Sequence, residues 1–237
     1  WRAQLATADG VQPVLALTTD HPRASVARYR AAHHQLSLSP DVLVRLDAGC
    51  QRQGVTRFMV LFTAFQLLLY RYTGQPDIRV GVPVANRPLP ALQAIVGFFV
   101  NTLVLRNRLD GRMTLRQALM QIREAALQAH QHQALPFDRL VEMLQPVRDL
   151  AHTTLVQVIF NHLRQDFSPL AAALRCTVSE ILLPQRHAQF ELAVDVVEHD
   201  AAGPLEVRFT YARELFEAQT IERLADHYLR QRGQNGG

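Results

Sequence analysis

Two alternating stretches near the C-terminus constrain the fold most. Residues 189–199 place Phe190, Leu192, Val194 and Val196 on one face of an extended chain, and residues 204–211 do the same with Leu205, Val207, Phe209 and Tyr211. A period of two marks strands with one buried face. The turn HDAAGP between them predicts an antiparallel hairpin. Its apolar face needs a cover. Upstream, a helix from Thr56 carries Phe58, Leu61, Phe62, Phe65, Leu68, Leu69 and Tyr72 at three- and four-residue steps and ends at Gly74.

The other elements follow from local signals. Residues 1–30, with Pro13 and Pro22, read as a short helical start and an extended connector. Residues 32–38 alternate weakly as a strand, and Ser39-Pro40 opens a helix that runs to about Gln53 with Gly54 as its C-cap. Strands are predicted over 77–84 and, after a proline-bearing loop, over the apolar run Val96 to Leu105. An amphipathic helix from Thr114 to Gln131 and a shorter one from Pro136 to Leu144 come next, then strands at 154–162 and 175–182. A helix over 217–231 closes the domain, and the QNGG end is expected to fray. The pattern is an α+β domain, an α/β sandwich of helices packed on one mixed sheet.

Composition removes several function classes. With 237 residues, 48% of them hydrophobic, the chain can hold one large domain or one lobe of a two-lobed enzyme. All 25 basic residues are arginine, scattered among 21 acids, so neither Schiff-base nor P-loop chemistry is available. No cationic stripe marks a nucleic-acid partner, and no long apolar run or signal core marks a membrane one, so a cytoplasmic location is expected. Cys50 and Cys176 stand far apart without metal-ligand spacing and read as reduced thiols.

Few residues promise chemistry. His33 and His34 are adjacent in a strand and point to opposite faces, so they cannot serve one site. His130 and His132 are two apart on a helix and cannot chelate together, so no metal is expected. Ser, His and Asp occur without a nucleophile elbow. More unusual is Val96 to Arg106, VGFFVNTLVLR, where Asn101 and Thr102 interrupt an apolar strand and Gly97 permits close backbone approach. Either the polar pair bonds neighbouring backbone at a strand end, or it faces a cleft.

This segment resembles the condensation-domain signature of nonribosomal peptide synthetases, Ile/Val-Gly-x-Phe-Val-Asn-Thr followed by arginine. HQALPFDRLVE, His132 to Glu142, is similar to the family's His-Gln-x-x-Pro-Phe-Glu, with Asp138 for Glu and Ala134 for Asp. RDLAHTTLVQVIFNH, Arg148 to His162, resembles Arg-Asp-x-Ser-x-x-Pro-Leu-x-Gln-x-x-Phe, with Ala151 and Thr154 replacing Ser and Pro. WRAQL with TTDHPR (Thr18 where Pro is usual) and YRYTGQPDIRVGVPVANRP, Tyr70 to Pro88, complete the set in family order from Trp1 to about Leu229. The Asn-Thr ending favours a condensation over an epimerisation domain.

The resemblance implies a chloramphenicol-acetyltransferase-like fold of two lobes with the active site between them. It also implies a donor thioester and an acceptor amine, both on phosphopantetheine arms of carrier proteins, and no cofactor bound directly. The family's His-His-x-x-x-Asp-Gly motif is absent, since His33-His34 runs on into Gln-Leu-Ser-Leu-Ser. No catalytic residue is therefore assigned, and the chain alone is expected to be inactive. The expected organisation is a linker from the N-terminal lobe over 1–30, a C-terminal lobe over 31–232 and a frayed tail over 233–237. Arg87 resembles the arginine that pairs with the motif's aspartate, and Asn101, Thr102, Phe98, Phe99 and Gly97 are the residues expected to wall the tunnel. Expected partners are the N-terminal lobe, donor and acceptor peptidyl carrier proteins and an adjacent adenylation domain. The alternative is a non-catalytic module of the same fold that docks carrier proteins or another enzyme. A lone lobe should expose apolar surface and self-associate.

Overall fold

The structure is a computed structural model that describes residues 1–7, 12–25, 29–144, 153–181, 183, 185–199 and 204–230. In chain order its elements are α1 (Arg2–Leu5), β1 (Tyr29–Leu38), α2 (Pro40–Gln53), α3 (Arg57–Thr73), β2 (Asp77–Val84), α4 (Pro90–Gln93) and β3 (Asn101–Arg108). They continue as α5 (Leu115–Gln131), α6 (Phe137–Leu144), β4 (Val158–Arg164), α7 (Ser168–Leu174), β5 (His187–Ala188), β6 (Leu192–Glu198), β7 (Leu205–Ala212) and α8 (Ala218–Arg230).

The chain divides into two compact units, one of Trp1–Thr18, Ala24–Ala27 and Leu61–Phe160, the other of Thr19–Arg23, Arg28–Val60 and Asn161–Gly237. In the first, β2 pairs antiparallel with β3 from Asp77↔Arg108 to Val84↔Asn101, and parallel with the start of β4 at Gly81↔Ile159. The sheet is therefore mixed. Helix α5 lies against β3. Thr114 caps α5 in a reciprocal capping box with Gln117, which satisfies two otherwise orphaned groups of the first turn. Phe160 receives the rings of Phe62 and Phe65, each at 5.4 Å between centroids.

Gly81 is required by this packing. A Cβ there would lie 2.4 Å from Ile159 Cδ1 and 3.2 Å from Val156 Cγ2. Gly81→Val should overpack the β2–β4 contact and destabilise the chain by about 3 kcal/mol, measurable by urea denaturation, with Gly81→Ala losing less.

In the second unit β7 pairs antiparallel with both β6 and β1, and β5 adds a two-residue antiparallel edge to β1. The predicted alternation appears as register: Leu192, Val194 and Val196 stand opposite Tyr211, Phe209 and Val207. These six are buried, and Phe209 meets the Tyr228 ring of α8. Residues 200–203 of the predicted hairpin turn, and the whole tail after Arg230, lie outside the described residues.

Three sequence expectations change. The strand predicted from Val96 begins only at Asn101, because β2 ends at Val84 and leaves residues 96–100 no ladder partner. The strand predicted over 175–182 is absent from its described residues. A helix, α7, stands just before it, started by Ser168-Pro169 and ended by Arg175 in the left-handed region at φ 50°. Alternation without an available strand edge forms no strand. Residues 154–157 precede β4 rather than belonging to it, with Leu155 at φ 64° bending the chain.

Candidate functional site

The loop between β2 and β3 is built around Arg87. Asn86, in the left-handed region at φ 50°, turns the chain so that the next side chain folds back over its own loop. Arg87 Nη1 donates to the carbonyls of Leu92 and of Ile95 (2.8 Å), and Nη2 donates to Gly97 O at 3.3 Å. The guanidinium carbon sits 4.2 Å from the centroid of the Phe99 ring. Planar geometry with donors on several edges suits one arginine to cap a one-turn helix, α4, and stack on an aromatic face together. The loop exposes apolar side chains: Val96 fully, Phe98 by 91%, and Leu89, Ile95 and Val100 by about half.

Asn101 leaves this cluster. It is 8% exposed and its amide is fully used at the α5–α6 turn: Nδ2 donates to Gln133 O and Leu135 O, both at 2.8 Å, and Oδ1 accepts from Phe137 N at 3.0 Å. Trp1 Nε1 donates to His132 O at 3.1 Å on the same turn. Thr102, half-buried, stands opposite Pro83 in the ladder. Of the residues singled out from the sequence, Arg87, Gly97 and Phe99 thus come together, Phe98 projects outward, and Asn101 joins β3 to HQALPFD.

Much of the remaining motif pattern holds the opening segment. Arg106 makes a paired bond to Asp77 at 2.8 and 2.5 Å and donates to Gln4 O at 2.7 Å. Arg79, 3% exposed, donates to Leu5 O at 2.8 Å and to Gln12 Oε1. Burial, then the Arg106 charge, pushes the Arg79 guanidinium down to about 10, against the pull of Asp77. Gln75 bonds Ala16 N and Val14 O, and buried Gln157 bonds Leu15 N at 2.8 Å. In the second unit, Asp20 accepts from Glu217 N and Thr220 Oγ1 at the start of α8, and Arg23 forks onto Glu191. Arg148, Asp149 and Ala151 lie outside the described residues.

Composition and spacing do not single out a polar face that the second unit carries. His33 and His34 do point to opposite faces: His33 Nδ1 shares a 3.1 Å hydrogen bond with Thr210 Oγ1, and His34 meets the Phe209 ring. On the His33 side, β6 and β7 place Asp195 opposite Arg208, and Asn161 Nδ2 donates to Asp195 Oδ1 at 3.0 Å. Burial raises the Asp195 carboxyl above the ordinary aspartate range, opposed by Asn161 and by the Arg208 charge. A raised folded value means the ionised form costs stability above it, and the cost is relieved as pH falls through it. Asp195→Asn should therefore stabilise the chain at pH 7, by an amount that shrinks toward pH 4, as read by denaturant midpoints at both values.

Among the described residues no three His, Cys, Asp or Glu side chains gather into a metal site, and no helix is long and apolar enough to cross a membrane. Cys50 is buried and Cys176 exposed, and neither is joined in a disulfide.

A sequence model of one family, described as "Condensation domain", matches residues 1–231. A linear gramicidin synthase of Brevibacillus parabrevis is 41% identical over 235 residues, 96% of this chain and 3% of that protein. This chain therefore spans a small fraction of its relative's length. A four-domain nonribosomal peptide synthetase bound to AMP and glycine superposes with a TM-score of 0.85 at 22% identity, over 99% of this chain and 19% of the other. The X-domain of teicoplanin biosynthesis, solved in complex with OxyB, gives 0.80 at 22% identity over 100% of this chain and 52% of the other. The fold is thus the α+β, chloramphenicol-acetyltransferase-like one of these structures. Mixed sheet, packed helices and interlocked motifs agree with the sequence match, and the chain belongs to the condensation-domain family of nonribosomal peptide synthetases.

Proposed function

We propose that residues 31–232 are the C-terminal lobe of a peptide-bond-forming condensation domain, with 1–30 linking it to an N-terminal lobe that carries the histidine motif. Donor and acceptor arrive as thioesters on the phosphopantetheine arms of carrier proteins, next to an adenylation domain in the cytoplasm. The acceptor amine attacks the donor thioester carbonyl, the amide forms, and the donor thiol leaves. In this reading Arg87 and the segment Gly97 to Val100 wall the reaction tunnel, and Asn101 and Thr102 back it from the first residues of β3. The observation that supports it is the loop after β2: it presents Val96 and Phe98 to solvent while Arg87 fixes its shape from within. Exposed apolar side chains on an internally braced loop fit a surface that another lobe covers.

The test is a condensation assay with loaded donor and acceptor carrier domains. The domain with both lobes should form the dipeptidyl thioester and this chain alone should not; product from this chain alone would refute the reading. Within the two-lobed enzyme, Arg87→Ala unbraces the loop and should lower the rate about 100-fold, with Arg87→Lys intermediate.

The second reading, a docking module without chemistry, draws on the likeness to the X-domain solved with OxyB. It predicts carrier or enzyme binding with no amide formed even when both lobes are present.

A further inference from the structure

Arg87 holds the chain on both sides of Phe98. Its Nη2 donates to the carbonyl of Gly97, and its guanidinium carbon lies 4.2 Å from the centroid of the Phe99 ring. Phe99 reaches that position by folding back over Gly97: a Cβ at residue 97 would stand 3.1 Å from Phe99 Cε2, tighter than an ordinary contact. A side chain at 97 would press the ring off the arginine. With the carbonyl before it bonded and the ring after it stacked, the backbone at Phe98 has little freedom, and the direction of its side chain is set.

The consequence is a ring aimed away from its own chain. Phe98 is almost wholly exposed and takes part in no ring contact among the described residues. It adds nothing to the core. The other exposed side chains of the loop, Leu89, Ile95, Val96 and Val100, are aliphatic and already supply apolar surface for another lobe to cover. Phe98 differs in kind. An aromatic side chain has only two torsions, so on a fixed backbone it keeps its position at low entropic cost. A large ring held still can exclude a substrate group by size, whereas a mobile side chain yields to it.

We propose that Phe98 is a specificity-determining residue, whose ring limits the size of the aminoacyl side chain that can lie beside it in the tunnel. This rests on the condensation reading above, in which Gly97 to Val100 wall the tunnel, and adds which side chain of that wall selects. Donor and acceptor offer the same chemistry, an aminoacyl group on a phosphopantetheine thioester, and the two arms of the assay separate them. Groups small enough to clear the ring pass, and fused aromatic groups do not.

The experiment uses the two-lobed enzyme that contains this chain. One arm pairs an alanyl acceptor with an alanyl or a naphthylalanyl donor. The other pairs an alanyl donor with an alanyl or a naphthylalanyl acceptor, all on carrier domains. The readout is the ratio of kcat/KM for the large and the small group. Phe98→Ala should move that ratio about tenfold toward the large group in one arm, with Phe98→Leu in between. Thermal melts of both variants should match the wild type, because the ring packs on nothing in this chain. Val96→Ala, equally exposed on the same loop, should leave the ratio where it is. A ratio that Phe98→Ala leaves alone in both arms, or that Val96→Ala moves as far, overturns the role of Phe98 and leaves the condensation reading standing. No amide from the wild-type enzyme with any of these pairs overturns the reading itself, and the selection with it.

Discussion

Arg23→Ala should destabilise the chain by about 3–5 kcal/mol, a large share of the roughly 5–15 kcal/mol typical of a folded domain. Arg23 Nε and Nη2 donate to the two oxygens of Glu191 at 2.9 and 2.8 Å, and the Glu191 side chain is 1% exposed. Removing the guanidinium leaves a carboxylate sealed from water with no counter-charge. Most of the loss is the cost of that stranded ion rather than the worth of the pair. The double replacement Arg23→Met with Glu191→Met should therefore recover most of the stability, which urea melts of the two singles and the double would show. A double as unstable as Arg23→Ala would place the effect elsewhere in the TTDHPR segment, where Asp20 and His21 also bond to Glu217 at the start of α8.

Asn101→Leu should cost about 3 kcal/mol through a different cause. Leucine is close in size and apolar, so it fills the volume, but Gln133 O, Leu135 O and Phe137 N all lose their partner at once. Buried backbone groups without partners are the expensive outcome of such a change. The specific readout is amide hydrogen exchange: Phe137 N–H should lose its protection while amides of β6 and β7 keep theirs. Unchanged protection at Phe137 would show that the α5–α6 turn is held by other contacts. Because Asn101 ties HQALPFD to β3, the replacement should also disturb the segment where Trp1 attaches.

Helices are legible in the sequence wherever their signals are local. Ser39-Pro40 and Gly54 bound α2, and Thr114 begins α5 as its cap, because capping is decided within four residues of chain. The strand pair β6 and β7 is legible because its alternation is strong enough to dictate which face is buried. The run Val96 to Val100 misleads because apolar β-branched and aromatic residues favour extended chain, whereas a strand needs a partner edge and β2 offers none beyond Val84. Helix α7 escapes notice for the converse reason: its seven residues carry a proline start but little amphipathic pattern.

By itself the sequence determined the family, the α+β class and the identity of most residues that matter, because motif order and period are properties of the chain alone. Tertiary structure decided what those residues do. Arg87 braces its own loop, Asn101 reaches residues 32–36 positions away, and Arg23 finds Glu191 168 positions away. Asp195 could be placed on a strand face from alternation, yet its partner is Asn161, because Arg208 turns to Glu180 and Glu206 instead. The physical reason is common to all four. A polar side chain in a half-buried site must find partners or bear the cost of lacking them, and those partners are chosen by proximity in the fold, which local pattern does not encode.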